Sequence, residues 1–139
     1  MRRLLSLLTV AISVVFLGLL SSGPAAALGG ESLACAWSGQ GYANPCSGYG
    51  PAGSYSVNFQ VLNASGTYSY AWTVPAAYAG AITGGCTSTS SYCQLTATVQ
   101  NGGALRIKVS VQLTQGGSSE TLTAIAGFQA ECYINGNYC

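Results

Sequence analysis

The chain has 139 residues, of which 49% are hydrophobic and only 5% charged, with no histidine, six cysteines and a formal net charge of +1. Two of its four cations, Arg2 and Arg3, stand at the extreme N-terminus, so the remainder carries Arg106 and Lys108 against Glu31, Glu120 and Glu131, a net charge of −1. Nucleic-acid binding, which needs several phosphate-neutralising cations on one face, is excluded on that count.

Residues 1–27 have the order of a secretory signal. Arg2 and Arg3 form a basic n-region, Leu4–Leu20 an apolar helix-forming run, and Ala25 and Ala27 the small-residue pattern of a cleavage site. Cleavage after Ala27 leaves 112 residues, a length suited to one secreted domain with no membrane attachment. The run lies at the lower edge of bilayer-spanning length, so an uncleaved anchor is the rival reading.

Residues 28–53, rich in glycine, serine and aromatic residues without a sustained period, read as a disulfide-stapled arm containing Cys35 and Cys46. From residue 54 to 139 the chain reads as a β-sandwich domain. Tyr55, Val57, Phe59 and Val61 alternate with Ser54, Ser56, Asn58 and Gln60, the period of a half-buried strand. After a turn at 63–66 the period returns in Tyr68, Tyr70, Trp72 and Val74, and Pro75 ends it. Asn63-Ala64-Ser65 in that turn matches a glycosylation acceptor, which is read as chance. Ala76–Gly85 is expected to be a loop.

A third strand carries Leu95, Ala97 and Val99 inward, and Asn101-Gly102-Gly103 turns the chain. Leu105, Ile107, Val109, Val111 and Leu113 form the clearest core stripe, with Arg106, Lys108, Ser110 and Gln112 outward. The last long strand puts Leu122, Ala124, Ala126, Phe128, Ala130 and Cys132 on one face. Matching large to small residues between these two strands sets Leu113 opposite Leu122, Val111 opposite Ala124, Val109 opposite Ala126 and Ile107 opposite Phe128. With no credible amphipathic helix after residue 27, the fold expected is an all-β, antiparallel sandwich.

Six cysteines in an exported small domain read as structural disulfides, for which fifteen pairings exist. Proximity favours Cys35–Cys46, Cys86–Cys93 and Cys132–Cys139. The last has geometric support, because Asn135-Gly136 suits a two-residue hairpin turn that sets Ile134 opposite Asn137, Tyr133 opposite Tyr138 and Cys132 opposite Cys139. Zinc would want close cysteine pairs or histidines, so no metal and no cofactor is expected.

Tyr68-Ser69-Tyr70-Ala71-Trp72-Thr73-Val74, the Leu105–Leu113 strand, the Gly116-Gly117 turn and the Thr121–Ala126 strand together resemble bacterial extracellular Ig-like modules, the PKD type above all. The resemblance spans about residues 54–132. It implies an Ig-like sandwich with Trp72 packed between the sheets. No Gly-Asp-Gly follows the tryptophan, and no cysteines flank it at the spacing of an antibody-type bridge.

For catalysis the sequence offers neither His nor Asp. Glu120 and Glu131, eleven residues apart on one extended strand, would stand roughly 35 Å from each other, too far for a glycosidase pair. Lys108 falls on the outward parity, so no catalytic residue is expected. The first functional reading is therefore a non-catalytic secreted or cell-surface structural or interaction module, able to self-associate or to associate with a surface polymer. The second is a carbohydrate-binding or other ligand-binding module using Trp37, Tyr42 and Tyr49, whose rings offer sugar-stacking faces. The third is a secreted protein inhibitor or effector presenting the loop Thr87–Tyr92.

Overall fold

The computed structural model describes residues 28–134 together with 137 and 138. The signal-peptide assignment to residues 1–27, the Asn135-Gly136 turn and Cys139 lie outside the described residues. Ten strands follow in order: β1 Ser32–Trp37, β2 Cys46–Gly50, β3 Gly53–Leu62, β4 Ser69–Thr73, β5 Ile82–Gly85, β6 Tyr92–Val99, β7 Ala104–Gln115, β8 Ser118–Ala130, β9 Tyr133–Ile134 and β10 Asn137–Tyr138. A short 3-10 helix, Ala76–Ala81, lies between β4 and β5. Among the described residues no helix is long and apolar enough to cross a membrane.

The strands form two four-stranded sheets, ordered β1-β3-β6-β5 and β2-β8-β7-β4, and the small hairpin β9-β10. One hydrophobic core is shared by both sheets. Val57, Phe59, Leu95, Ile107, Val109, Val111, Leu113, Ala124 and Ala126 are fully buried in it, and all lie on the inward parity expected from the alternation. Burial of these alternating faces is what commits each strand to one side of its sheet, because a shift of one residue would turn the whole apolar set to solvent.

The segment expected to be a stapled arm is two strands of the sheets. Leu33, Cys35 and Trp37 of β1 are buried, and β1 pairs antiparallel with β3 from Ser32–Leu62 to Trp37–Val57. Strand β2 pairs with β8 from Cys46–Ala126 to Gly50–Ala130, and this pairing is parallel, so the second sheet is mixed and not wholly antiparallel as expected. Nearly the whole domain separates β2 from β8, and no short turn constrains their relative direction. Five- and six-residue strands made of small residues escape period-based detection. In β2 the inward positions are Cys46, Gly48 and Gly50, and two of those carry no side chain to mark a stripe.

The β7-β8 hairpin keeps the expected parity but is shifted by two residues. Val111 faces Leu122, Val109 faces Ala124, Ile107 faces Ala126 and Leu105 faces Phe128, while Leu113 lies opposite Glu120. Gly116 and Gly117, with φ of 57° and 85°, make a two-residue turn between the paired Gln115 and Ser118, and that turn sets the register. Residues 76–85, expected to be a loop, supply the 3-10 helix and the edge strand β5.

Two disulfides join the pairs that proximity favoured. Cys35–Cys46 links β1 of one sheet to β2 of the other, with Cα atoms 5.6 Å apart, and Cys86–Cys93 closes the loop between β5 and β6 at 4.3 Å. Cys132 is not a free thiol, and its expected partner Cys139 lies outside the described residues. The register of β9 and β10 is the expected one, Ile134 opposite Asn137 and Tyr133 opposite Tyr138. Disulfides of this kind are consistent with an extracellular location.

Candidate functional site

The three aromatic residues singled out for binding go to three different places. Trp37, on the inward parity of β1, is 2% exposed and packs edge to face against Phe128, so it offers no ring to a ligand. It also takes the position between the sheets expected of Trp72, which is only half-buried and whose indole N–H donates to the Ser90 carbonyl at 3.0 Å. Tyr42 lies over the outer face of the first sheet, where its hydroxyl accepts a 2.5 Å hydrogen bond from the Asn58 side-chain amide. Tyr49 stands on the outward parity of β2 in the second sheet and is 64% exposed. The three do not form one site.

The outer face of the second sheet carries an open groove of about 410 Å³. Its centre is a register row that runs from Ser47 of β2 through Gly127 of β8 to Arg106 of β7. Above and below Gly127 on β8 stand Ile125 and Gln129, both lining the groove, and Tyr49 is the register partner of Gln129. Lys108 is the register partner of Ile125. Arg106 and Lys108 are the only cations among the described residues, and alternation puts both on this face, exposed.

Gly127 makes the groove. A Cβ built there would approach nothing closer than the Cys46 carbonyl at 3.9 Å, and its φ is not among the positive ones, so neither packing nor backbone conformation calls for glycine. Glycine in a strand interior weakens the strand and, where no bulge explains it, marks a close approach from outside. Here the missing side chain opens the floor between Ser47 and Arg106. The signal was present in the sequence: Gly127 interrupts the outward face of an otherwise regular strand. Gln129 and Ile125 come beside Arg106 through the β7-β8 hairpin, whereas Ser47 carried no sequence signal, since only the parallel register of β2 brings it to Arg106.

Asn44 fixes the entry of β2 into this sheet. Its side-chain amide donates to the Thr123 carbonyl at 2.8 Å and its side-chain oxygen accepts from the Ile125 N–H at 3.3 Å, continuing the contact with β8 two residues ahead of Cys46. Elsewhere on the outer faces hydroxyl pairs meet across neighbouring strands. Ser54 and Thr98 approach at 2.8 Å, and Ser110 and Thr123 at 2.9 Å.

The loop Thr87–Tyr92, considered as a presented inhibitory element, is tied back to the sheet edge. The Tyr70 N–H donates to the Ser88 carbonyl at 3.0 Å, Trp72 holds Ser90, and Thr87 and Ser90 hydroxyls meet at 2.6 Å. The loop thus covers the free edge of β4. At the opposite side Ala43 exchanges two backbone hydrogen bonds with Cys35, covering part of β1.

The pKa of Glu31 is lowered to about 2. The main cause is the hydrogen bond it accepts from the Tyr68 hydroxyl, followed by those from the Gly29 and Gly30 N–H groups at 2.8 and 3.0 Å. Among the described residues no cluster of three or more acidic or cysteine side chains is arranged to hold a metal ion.

No family model matches the chain, and no curated protein or solved structure shows significant similarity to it.

Proposed function

We propose that the exported chain is a non-catalytic, Ig-like interaction module of the cell exterior that acts by binding at the outer face of the β2-β8-β7 sheet. The observation that carries this reading is the groove over Gly127, opened by a mid-strand glycine that the fold does not require and lined by Arg106, with the exposed Tyr49 one register row further along as the partner of Gln129. The groups it offers are a guanidinium, an amide, a hydroxyl and a phenol ring, which suit recognition.

The strand orders favour the Ig-like assignment. Sheets ordered β1-β3-β6-β5 and β8-β7-β4 correspond to the A-B-E-D and G-F-C sheets of such domains, with β2 added beside the last strand. At β1 and β4 the sheet edges are already bonded to the chain's own loops, which disfavours strand addition at those two edges.

The test is retention of the secreted protein on insoluble envelope material of the producing cells. Wild-type protein is expected to be retained and Gly127→Val to be lost to the soluble fraction. A Cβ at this position meets nothing closer than 3.9 Å and valine suits a strand, so the variant is expected to fold, which its thermal midpoint checks. Equal retention of the two proteins, or retention of neither, would overturn the reading.

A further inference from the structure

We infer that the groove takes a carboxylate-bearing polysaccharide, a uronic-acid polymer that lies across β2, β8 and β7 with a carboxylate on Arg106 and a sugar ring against Tyr49. This rests on the binding role proposed above and names the ligand class.

Three features of the face converge on that chemistry. The first is charge. Both cations of the described chain, Arg106 and Lys108, stand two residues apart on the outward side of β7. Among the described residues the nearest side-chain carboxylate on that side is Glu131, just past the end of β8, four residues beyond Gly127 and therefore roughly 14 Å away along the chain. Glu120 lies near the far end of the β7-β8 hairpin, opposite Leu113, and Glu31 is engaged by Tyr68. From the Gly127–Arg106 row that separation exceeds the screening length of about 8 Å at physiological ionic strength, so the Arg106 end of the groove is locally cationic although the described residues carry a net charge of −1. A guanidinium presents paired N–H donors that match a carboxylate in fork geometry.

The second feature is the flank. Tyr49 is the most exposed large apolar side chain among the described residues and stands on the same face of β2 as Ser47, one alternation away. An exposed ring beside hydroxyl and amide groups meets the two needs of a sugar, an apolar face for its C–H groups and partners for its hydroxyls. Ser47 supplies a hydroxyl, and Gln129 its side-chain oxygen, the Gln129 amide N–H groups being held by the Gly102, Gly103 and Ala130 carbonyls.

The third is shape. The groove is an open trough across three strands, and a small molecule would leave much of its surface in water there, whereas specific small-molecule sites enclose most of their ligand. A polymer gains by continuing beyond the trough. Two cations are too few for a nucleic acid.

Isothermal titration of the secreted, disulfide-intact protein with uronate oligomers tests this, using galacturonate, alginate and hyaluronan hexamers or longer against maltohexaose and hexaglutamate. At least one uronate oligomer is expected to bind, more weakly as salt is raised. Arg106→Ala should weaken that binding roughly tenfold, Arg106→Lys less, and Gly127→Val should abolish it. Tyr49→Ala should also weaken it. Equal binding of maltohexaose overturns the inference, because the site would then read sugar without charge. Equal binding of hexaglutamate overturns it as well, because the site would read charge without sugar. If no oligomer binds while envelope retention still depends on Gly127, the ligand class is wrong and the binding role stands. If retention fails too, both fall.

Discussion

Trp37 and Phe128 meet edge to face between the two sheets, with ring centroids 5.0 Å apart and planes inclined by 68°. Tyr55 also packs against Phe128, with centroids 4.1 Å apart, so three rings from β1, β8 and β3 gather under β2. They fit because β2 has glycine where it crosses them. A Cβ on Gly48 would stand 2.3 Å from Phe128 Cδ2 and 3.1 Å from Trp37 Cδ1.

Gly48→Ala is therefore expected to destabilise the protein by about 1–3 kcal/mol, as overpacking a filled core does, and to lower the thermal midpoint by several degrees. Gly127→Ala, next in the chain to Phe128 of the same cluster but facing out, should change stability by less than about 0.5 kcal/mol or raise it slightly by restricting the unfolded chain. Denaturant unfolding of the two variants side by side checks the contrast. Equal losses would mean that the groove glycine is structural after all.

The two described disulfides should differ in what their removal does. Cys35 and Cys46 are both buried, and their bridge is a covalent link between the sheets. Replacing both by alanine is expected to cost about 2–5 kcal/mol in global unfolding. The Cys86–Cys93 bridge closes a loop on one side of one sheet, and its loss should loosen Ser88 and Ser90 from Tyr70 and Trp72. Fluorescence separates the cases. Trp72 emission should shift on removal of the second bridge, while Trp37, deep in the core, reports only on the first.

Acid should weaken the attachment of the N-terminal segment. The folded-state pKa of Glu31 is lowered from 4.5 to about 2, so its ionised form is favoured by folding. Such a group adds stability that is fully present above the unfolded value of 4.5 and is lost as the pH falls through about 2. Its partner Tyr68 has its pKa raised above 10.0, chiefly by the same hydrogen bond, which adds stability below that value and loses it as the pH rises through the folded one. Glu31→Gln and Tyr68→Phe should each flatten the stability profile between pH 4.5 and 2. Hydrogen exchange at Gly29 and Gly30 should rise in both variants at neutral pH.

The four long strands were legible because each buries one face over eight or more residues, so Val57-Phe59-Val61, Leu95-Ala97-Val99, Ile107-Val109-Val111-Leu113 and Ala124-Ala126-Phe128 all record a period of two. Strands β1, β2 and β5 were not, for three different reasons. In β1 both faces are covered, with Ala34 and Ala36 buried alongside Cys35 and Trp37, which erases the alternation. In β2 the inward residues include Gly48 and Gly50, and in β5 glycine again replaces the expected stripe, with Tyr92 of β6 lying across Gly84 and Gly85. The site shared that fate. Arg106, Lys108 and Tyr49 were visible singly, but their common face depends on a parallel pairing between segments about eighty residues apart, which no local pattern records.

The turn at Gly116-Gly117 sets the register of the longest hairpin and gives the most direct test of how the sheet is specified. Both residues have positive φ, 57° and 85°, the requirement of a two-residue turn whose twist matches that of its strands. Asparagine tolerates that conformation at the first position, and a β-branched residue does not tolerate it at the second. Gly116→Asn should therefore leave stability unchanged within about 0.5 kcal/mol, and Gly117→Val should cost about 1–2 kcal/mol. A Cβ at Gly117 meets nothing within 4 Å, so any loss there comes from the backbone and not from a clash. Cross-strand contacts measured by nuclear Overhauser effects should keep Val109 opposite Ala124 in Gly116→Asn. Their displacement to Val109 opposite Ala126 would show that packing, and not the turn, selects the pairing.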